Sequence, residues 1–191
     1  MKLFHLASAA LLLSAPFAIA QTSTWKSDAA HSDVSFSIVH MSLNAVPGSF
    51  GNVSATIVYD EKDITKSTVN ATIDVAGLDT RNESRDADIK GDSYFDTAKY
   101  PTATFVSTSV AKSPTGLTVA GNLTIAGVTK PVVLNVEGPT APQTGMDKKQ
   151  HVGFSATTTL SRTAFGLGVK FPEAILSDAV KVSLDLDVAK Q

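Results

Sequence analysis

The sequence predicts an all-β domain in which eight antiparallel strands close into a barrel, with a short helical segment between the third and fourth strands. Three observations support this fold class. Apolar and polar residues alternate with a period of two along most of the chain after residue 20. Short links join most of these stretches, and short links connect antiparallel rather than parallel neighbours. Eight strands are also enough to close a sheet, and closure removes its exposed edges.

The predicted strands share an alternating apolar face and are bounded by turn residues. The first is centred on Val34, Phe36 and Ile38, and the others cover residues 51–59, 67–75, 102–110, 117–125, 130–137, 151–161 and 180–188. Two irregular segments, residues 138–150 and 162–177, interrupt the second half of the chain. A two-sheet sandwich would bury the same faces and is the alternative to a barrel.

A short helix is predicted over residues 81–90. Thr80 and Glu83 have the spacing of a capping box, and Gly91 can supply the left-handed residue that ends a helix. Only two residues of this helix are apolar, so it gains little from burial in a core. We therefore expect it to cover one end of the barrel, fixed there by the aromatic residues that follow it, Tyr94, Phe95 and Tyr100.

The first 20 residues have the pattern of a secretory signal peptide. Lys2 supplies a positive charge, residues 3–15 form a short apolar run, and Ala18-Ile19-Ala20 is a cleavage site. The run is too short and too interrupted for a good membrane span. No cysteine is present to carry a lipid anchor. We therefore expect a periplasmic or secreted protein that is not a lipoprotein, with one barrel domain over residues 21–191.

The composition of that domain limits the classes of partner that it can bind. Its 191 − 20 = 171 residues are enough for a sizeable core. Without Lys2 it has 15 basic side chains against 18 acidic ones, a net charge of −3 that offers no broad surface for nucleic acid. No disulfide can form, so stability must come from sheet closure and apolar burial. No other run in the chain is a stable membrane span, and a homodimer is left open.

Small residues in the middle of apolar strand faces suggest a hollow barrel. They are Ala55, Ala71, Ala103, Gly121 and Ala156. Inward-pointing small side chains leave a few hundred Å³ unfilled, the low end of ligand pockets. Alternatively, phenylalanines at 36, 105 and 154 reach across and fill the space. For a hollow barrel, the predicted lining residues are Phe36, Ile38, Ile57, Ile73, Phe95, Phe105, Leu123, Phe154, Phe165 and Leu184.

The polar residues predict no catalytic or metal site. His31 and His40 flank the first strand, about 30 Å apart at the rise of an extended chain, so they cannot share a metal ion. No spacing of histidines and carboxylates resembles a zinc site, and no serine lies on a strand–turn–helix elbow. Enzymatic action on a bound lipid through His31 or His40 stays an alternative.

Two arginines lie in irregular segments at strand ends, where a barrel would have its mouth. A guanidinium at Arg85 or Arg162 could hold a phosphate through a bidentate pair. A structural ion pair is the other interpretation of each. His31 and Asp86 are further candidates for the mouth or for its scaffold.

Several short motifs also occur in the order and spacing of one family. They are Trp25, Asp28 and His31-Ser32, Gly48-Ser49-Phe50, Thr80 with Arg85-Asp86 and Ile89-Lys90, Tyr94-Phe95-Asp96, Tyr100-Pro101, residues 121–132, residues 162–166 and Leu176-Ser177-Asp178. Together they span residues 24–189 and resemble the YceI-like family. The resemblance implies a lipocalin-like barrel, exported to the periplasm, with a tunnel for a polyisoprenoid chain. It also implies a binding protein with no cofactor beyond an apolar ligand such as an isoprenoid quinone or polyprenyl lipid.

One departure from the family concerns the ligand's head group. Asp88 stands where the family often has histidine, two residues after Asp86. An anionic side chain there disfavours a diphosphate and suits a neutral quinone or amide. The sequence thus predicts a carrier or sequestering protein for a long apolar chain. An enzyme acting on a bound lipid and an envelope interaction module with a solid core are the alternatives.

Overall fold

The computed structural model describes residues 22–191, which form eleven strands and one α-helix. The strands are β1 (Thr22–Ser27), β2 (Asp33–His40), β3 (Asn44–Ser49), β4 (Val53–Asp60), β5 (Thr68–Asp74), β6 (Thr102–Ser113), β7 (Gly116–Ile125), β8 (Val128–Glu137), β9 (Gln143–Thr144), β10 (Gln150–Ser161) and β11 (Leu176–Lys190). The helix, α1, covers Glu83–Lys90. The signal peptide predicted for residues 1–20 lies outside the described residues. No helix within residues 22–191 is long and apolar enough to cross a bilayer.

Eight of the strands close an antiparallel barrel, which confirms the predicted fold class. The ring runs β1, β4, β5, β6, β7, β8, β10, β11 and back to β1, and every pairing in it is antiparallel. Short links join β4 to β5, β6 to β7 and β7 to β8, and short links cannot join parallel neighbours.

The first member of the ring differs from the prediction. β1 takes the place expected for β2, because one edge of the long strand β11 serves two partners. Residues Leu176–Asp185 of β11 pair with β2, and Val188–Lys190 pair with β1. β2 and β3 form a hairpin outside the ring, and Ser49 joins β3 to Asp79 through a single bridge.

The helix begins later than predicted, and its caps differ. Asn82, not Thr80, caps α1 by accepting a hydrogen bond from the backbone N–H of Arg85 at 2.9 Å. The capping box is wrong because the Thr80 hydroxyl is bonded to Asp86 instead. Gly91 has a φ of −73°, so the left-handed end is also wrong. α1 buries none of its residues, as its polar sequence predicts.

The barrel interior is filled tightly at the end where β10 begins and β11 ends. Ile57, Val152 and Val188 form a cluster there, and Val188 has no exposed surface. Farther along, the ring of Phe105 occupies the space beside Gly121, where a Cβ atom would clash with it. The gap expected at Gly121 is therefore filled, as the alternative with cross-reaching phenylalanines predicts.

Candidate functional site

A cavity of about 360 Å³ occupies the other end of the barrel. Its floor and far wall come from ring strands at the ends of β5 and β7 and the start of β6. The near wall is the inner face of β2 and the first half of β11, and the cover comes from α1 and residues 162–176. The apolar side chains around it are Val34, Phe36, Ile38, Val46, Phe50, Ile73, Val75, Ile89, Tyr94, Phe95, Ala103, Leu123, Ile125, Leu160, Phe165, Leu167, Phe171, Ile175, Leu176, Val180 and Val182.

Aromatic contacts tie the cover to the wall. The ring centroids of Phe36 and Phe50 are 5.1 Å apart. Phe50 and Phe95 meet edge to face, with their ring centroids 5.8 Å apart. Tyr94 stacks on Phe171 at 5.9 Å. Such pairs contribute about 0.5–1.5 kcal/mol each beyond the area they bury. The cavity is therefore roofed by rings that support one another.

Thr80, Arg85 and Asp86 form a hydrogen-bonded group at the edge of the cavity. Thr80 donates from its hydroxyl and its backbone N–H to Asp86 Oδ1, at 2.5 and 2.9 Å. Arg85 donates from Nε to the Thr80 hydroxyl and from Nη2 to the Thr80 carbonyl, at 2.8 and 2.7 Å. The hydrogen bond from the Thr80 hydroxyl lowers the pKa of Asp86 below its ordinary value. Arg85 is thus fixed in place with Nη1 making no hydrogen bond to the residues described.

Arg162 is buried in the cover, where its side chain stabilises the surrounding backbone. Its side chain is 3% exposed. All five of its N–H groups are directed at backbone carbonyls, those of Ser177, Leu167, Gly168, Phe171 and Leu176, at 2.6 to 3.1 Å. Guanidinium has five donors, so none is left for a bidentate phosphate contact. Neither sequence interpretation of Arg162 therefore describes it, since its partners are carbonyls and not a carboxylate.

The predicted lining residues divide into two groups. Six of the ten line the cavity: Phe36, Ile38, Ile73, Phe95, Leu123 and Phe165. The other four do not. Phe105, Phe154 and Leu184 pack in the core beyond its floor, and Ile57 belongs to the cluster at the closed end. Strand alternation identifies inward-facing side chains but not their depth along the barrel axis.

Of the polar residues predicted for the mouth of the barrel, only some border the cavity. Arg85 and Arg162 line the cavity. Asp86 is not part of the lining; it accepts hydrogen bonds from Thr80, to which Arg85 donates. His31 does not lie at the mouth. It lies at the opposite end of β2, bonded to Asp28 at 2.9 Å, and His40 is the histidine that borders the cavity. The expectation that His31 and His40 are far apart agrees with their places at the two ends of one extended strand.

The sequence interpretation missed several lining residues, chiefly Phe50, Leu160, Phe171 and Ile175. Phe50 and Phe171 lie in segments with no strand alternation. Large aromatic residues in otherwise polar connecting segments are the signal that could have found them, because such rings need an apolar surface to cover.

Comparison with known proteins now decides the family. A family model described as the YceI-like domain matches residues 25–188. The chain belongs to the YceI-like family. Curated relatives include UPF0312 protein plu2095 of Photorhabdus laumondii, 38% identical over 135 residues that cover 71% of this chain and 70% of that protein. Protein YceI of Escherichia coli is 38% identical over 136 residues, 71% of each chain. The resemblance predicted from sequence motifs is confirmed.

Solved structures of other proteins have a similar architecture. BcnA of Burkholderia cenocepacia has a TM-score of 0.71 and 28% identity, covering 84% of this chain and 98% of its own. A polyisoprenoid binding domain from Saccharophagus degradans, implicated in plant cell wall breakdown, has a TM-score of 0.62 and covers 87% of this chain and 98% of its own. At 17% identity, that second likeness concerns the fold alone.

Proposed function

We propose that this protein binds a lipid by enclosing part of its apolar chain in the barrel cavity, and so carries, stores or sequesters it. The observation that supports the proposal is the cavity of about 360 Å³, walled by aliphatic and aromatic side chains at one end of the barrel. Apolar cavities of this kind take apolar ligands, because burial of each methylene contributes about 0.8 kcal/mol. A few isoprene units are then enough for tight binding.

The size of the cavity limits how much of a ligand it holds. Its volume is at the low end of ligand pockets, which span about 300–1,000 Å³. A long polyisoprenoid therefore inserts one segment and leaves the rest outside unless the cover moves. Isoprenoid quinones and polyprenyl lipids both provide a chain of this kind.

The head group we propose is neutral. Arg85 and Asp88 are three residues apart on α1, so they lie on one side of the helix, and both border the cavity. Arg85 can donate a hydrogen bond to a carbonyl oxygen, while the Asp88 carboxylate repels a diphosphate. A quinone or an amide satisfies both conditions better than a prenyl diphosphate does.

We further propose that binding takes place in the periplasm or outside the cell, without a cofactor and without turnover of the lipid. The predicted signal peptide supports the location. The YceI-like family is a binding-domain fold rather than a known class of enzyme. An enzyme acting on the bound lipid would have to use His40, since His31 lies away from the cavity.

A cavity-filling substitution tests the proposal. Ala103 lines the cavity, and an Ala103→Phe side chain would occupy it. Val106→Phe is the matched control, because Val106 is 49% exposed on the outer face of the same strand. Protein purified without detergent is examined by native mass spectrometry for lipid mass and titrated with a short-chain quinone. We expect Ala103→Phe to lose binding at least tenfold and Val106→Phe to keep it.

Two outcomes would count against the proposal. One is wild-type protein that carries no lipid and binds neither quinones nor prenyl phosphates. The other is equal binding by Ala103→Phe and the control, which would place the ligand elsewhere. Chemical change of the extracted lipid that is lost in His40→Ala would instead support the enzyme alternative.

A further inference from the structure

Two histidines and three aspartates meet on the outer surface at the closed end of the barrel, away from the cavity. Asp28 and His31 lie in the link between β1 and β2, Asp147 in the link before β10, His151 on β10 and Asp187 on β11. His31 Nδ1 is 2.9 Å from Asp28 Oδ2. His151 Nδ1 is 2.6 Å from Asp187 Oδ1, and its Nε2 is 3.1 Å from Asp147 Oδ1. Three separate parts of the chain therefore contribute to one cluster.

The backbone holds the centre of this cluster in place. The N–H of Asp28 donates to the carbonyl of Asp187 at 2.8 Å. The N–H of Asp187 donates to the Ser32 hydroxyl at 3.1 Å, and that hydroxyl lies 3.2 Å from the Asp187 carbonyl. The link that carries Asp28 and His31 is thus hydrogen-bonded to β11 through the Asp28 N–H and the Ser32 hydroxyl. The fold, and not a chance meeting of flexible side chains, brings Asp28 beside Asp187.

The spacing of the ligand atoms suits a small cation. One carboxylate oxygen of Asp28, one of Asp187 and a ring nitrogen of His31 all lie within 4.8 Å of one another. Zinc binds such nitrogen and oxygen ligands at about 2.0–2.2 Å, so two ligands of one ion lie up to about 4 Å apart. Closing the remaining gap takes only a small side-chain rotation, and His31, with a side chain 70% exposed, is free to make it.

The types of ligand narrow the choice of metal. Imidazole nitrogen with carboxylate oxygen suits zinc and neighbouring divalent transition metals, whereas calcium and magnesium prefer oxygen alone. Three protein ligands leave at least one position for water. His151, bonded to both Asp187 and Asp147, can orient the Asp187 carboxylate, as hydrogen-bonded partners of metal ligands do.

We propose that Asp28, His31 and Asp187 bind one divalent transition-metal ion of the zinc class, with His151 as the positioning residue for Asp187. The site is independent of the lipid cavity, because none of these side chains lines it. The protein would then have two separate binding functions, an apolar chain at one end of the barrel and a metal ion at the other.

Zinc titration of the metal-free mature protein by calorimetry tests this, with cobalt absorption spectra to report nitrogen and oxygen ligation. We expect one ion per chain, affinity reduced more than 100-fold in His31→Ala, and affinity reduced about 10–100-fold in His151→Gln. His40→Ala is the matched control, since His40 lies at the other end of the same strand, and it should bind zinc like the wild type.

His31 is too exposed for its loss to unfold the barrel, and circular dichroism of each variant verifies this. Two results would overturn the proposal: wild-type protein that takes up no zinc at millimolar concentration, or His31→Ala that binds zinc as the wild type does. Quinone binding is measured on the same variants. Because the cavity is remote, His31→Ala should leave it unchanged, so failure of the metal site and failure of the lipid site give different results.

Discussion

The two ends of the barrel are built from similar alternating strands, yet one is packed and the other is hollow. At the closed end, ring strands alone supply the interior, and Val188 between Ile57 and Val152 is fully buried. At the open end, part of the wall lies outside the ring, in the β2–β3 hairpin, in α1 and in residues 162–176. The cavity thus arises where added segments are held away from the ring strands, and of the five small strand residues only Ala103 borders it.

Substitutions of the residues that hold the added segments should therefore reduce stability and lipid binding more than other substitutions at the hollow end. Arg162→Met removes the five hydrogen bonds that shape residues 162–177 and leaves buried carbonyls without a donor. We expect the free energy of unfolding to fall by more than about 3 kcal/mol, because each buried carbonyl left without a donor costs about 1–3 kcal/mol. Lipid binding should be lost as the cover collapses. Urea unfolding of Arg162→Met measures this, and the exposed neighbour Lys170→Met is the control. Unchanged stability would mean that the cover does not depend on Arg162.

Enlarging a buried alanine should distinguish the packed interior from the cavity directly. Ala55 is 2% exposed in a packed region, and Ala103 is similarly buried but borders the cavity. We expect Ala55→Leu to cost about 1–3 kcal/mol of unfolding free energy by overpacking. Ala103→Leu should cost less than about 1 kcal/mol, since its side chain has space to enter. Equal losses in thermal or urea unfolding would show that the two positions are packed alike.

Acid should weaken the attachment of residues 162–176, which cover the cavity. The hydroxyls of Ser161 and Thr163 lower the pKa of Asp178, and Asp178 accepts from the Thr163 N–H at the start of the cover. A carboxylate with a lowered pKa in the folded state stabilises the fold above its unfolded pKa. That contribution is lost as the pH falls below about 4 and through the folded value. The free energy of unfolding measured between pH 7 and pH 3 should therefore decline less steeply in Asp178→Asn than in the wild type. Parallel curves would show that Asp178 does not contribute to the acid destabilisation.

The fold could be predicted from the sequence because it depends on alternation, and alternation is local. β2, β4 to β8, β10 and β11 all show it. The sequence pattern does not predict β1, β3 or the two-residue β9. Thr22–Ser27 and Asn44–Ser49 carry no regular apolar face, and β3 contains Pro47, which suits a strand at a sheet edge. The helix was expected in the right place, but its cap was not, because Thr80 has a tertiary partner in Asp86 that no spacing rule contains.

The sites were harder to predict because they depend on depth and on distant partners. Ile57 and Ile73 alternate in the same way, yet only Ile73 reaches the cavity. Gly121 suggested a gap that Phe105 fills. His31 and Asp187 are 187 − 31 = 156 residues apart, so the cluster they form has no signature in the sequence. Only the pairing of β11 with its neighbours brings them together.

The division of the β11 edge between β1 and β2 has a consequence for how a ligand gets in. The hairpin β2–β3 forms one side of the cavity, but the closed ring of eight strands does not include it. Its attachments include the pairs with the first half of β11, the bridge between Ser49 and Asp79, and a hydrogen bond from the Met41 N–H to the Ile175 carbonyl. Loss of the pairs between β2 and β11 would therefore open one wall of the cavity while every pairing of the eight-stranded ring stays intact.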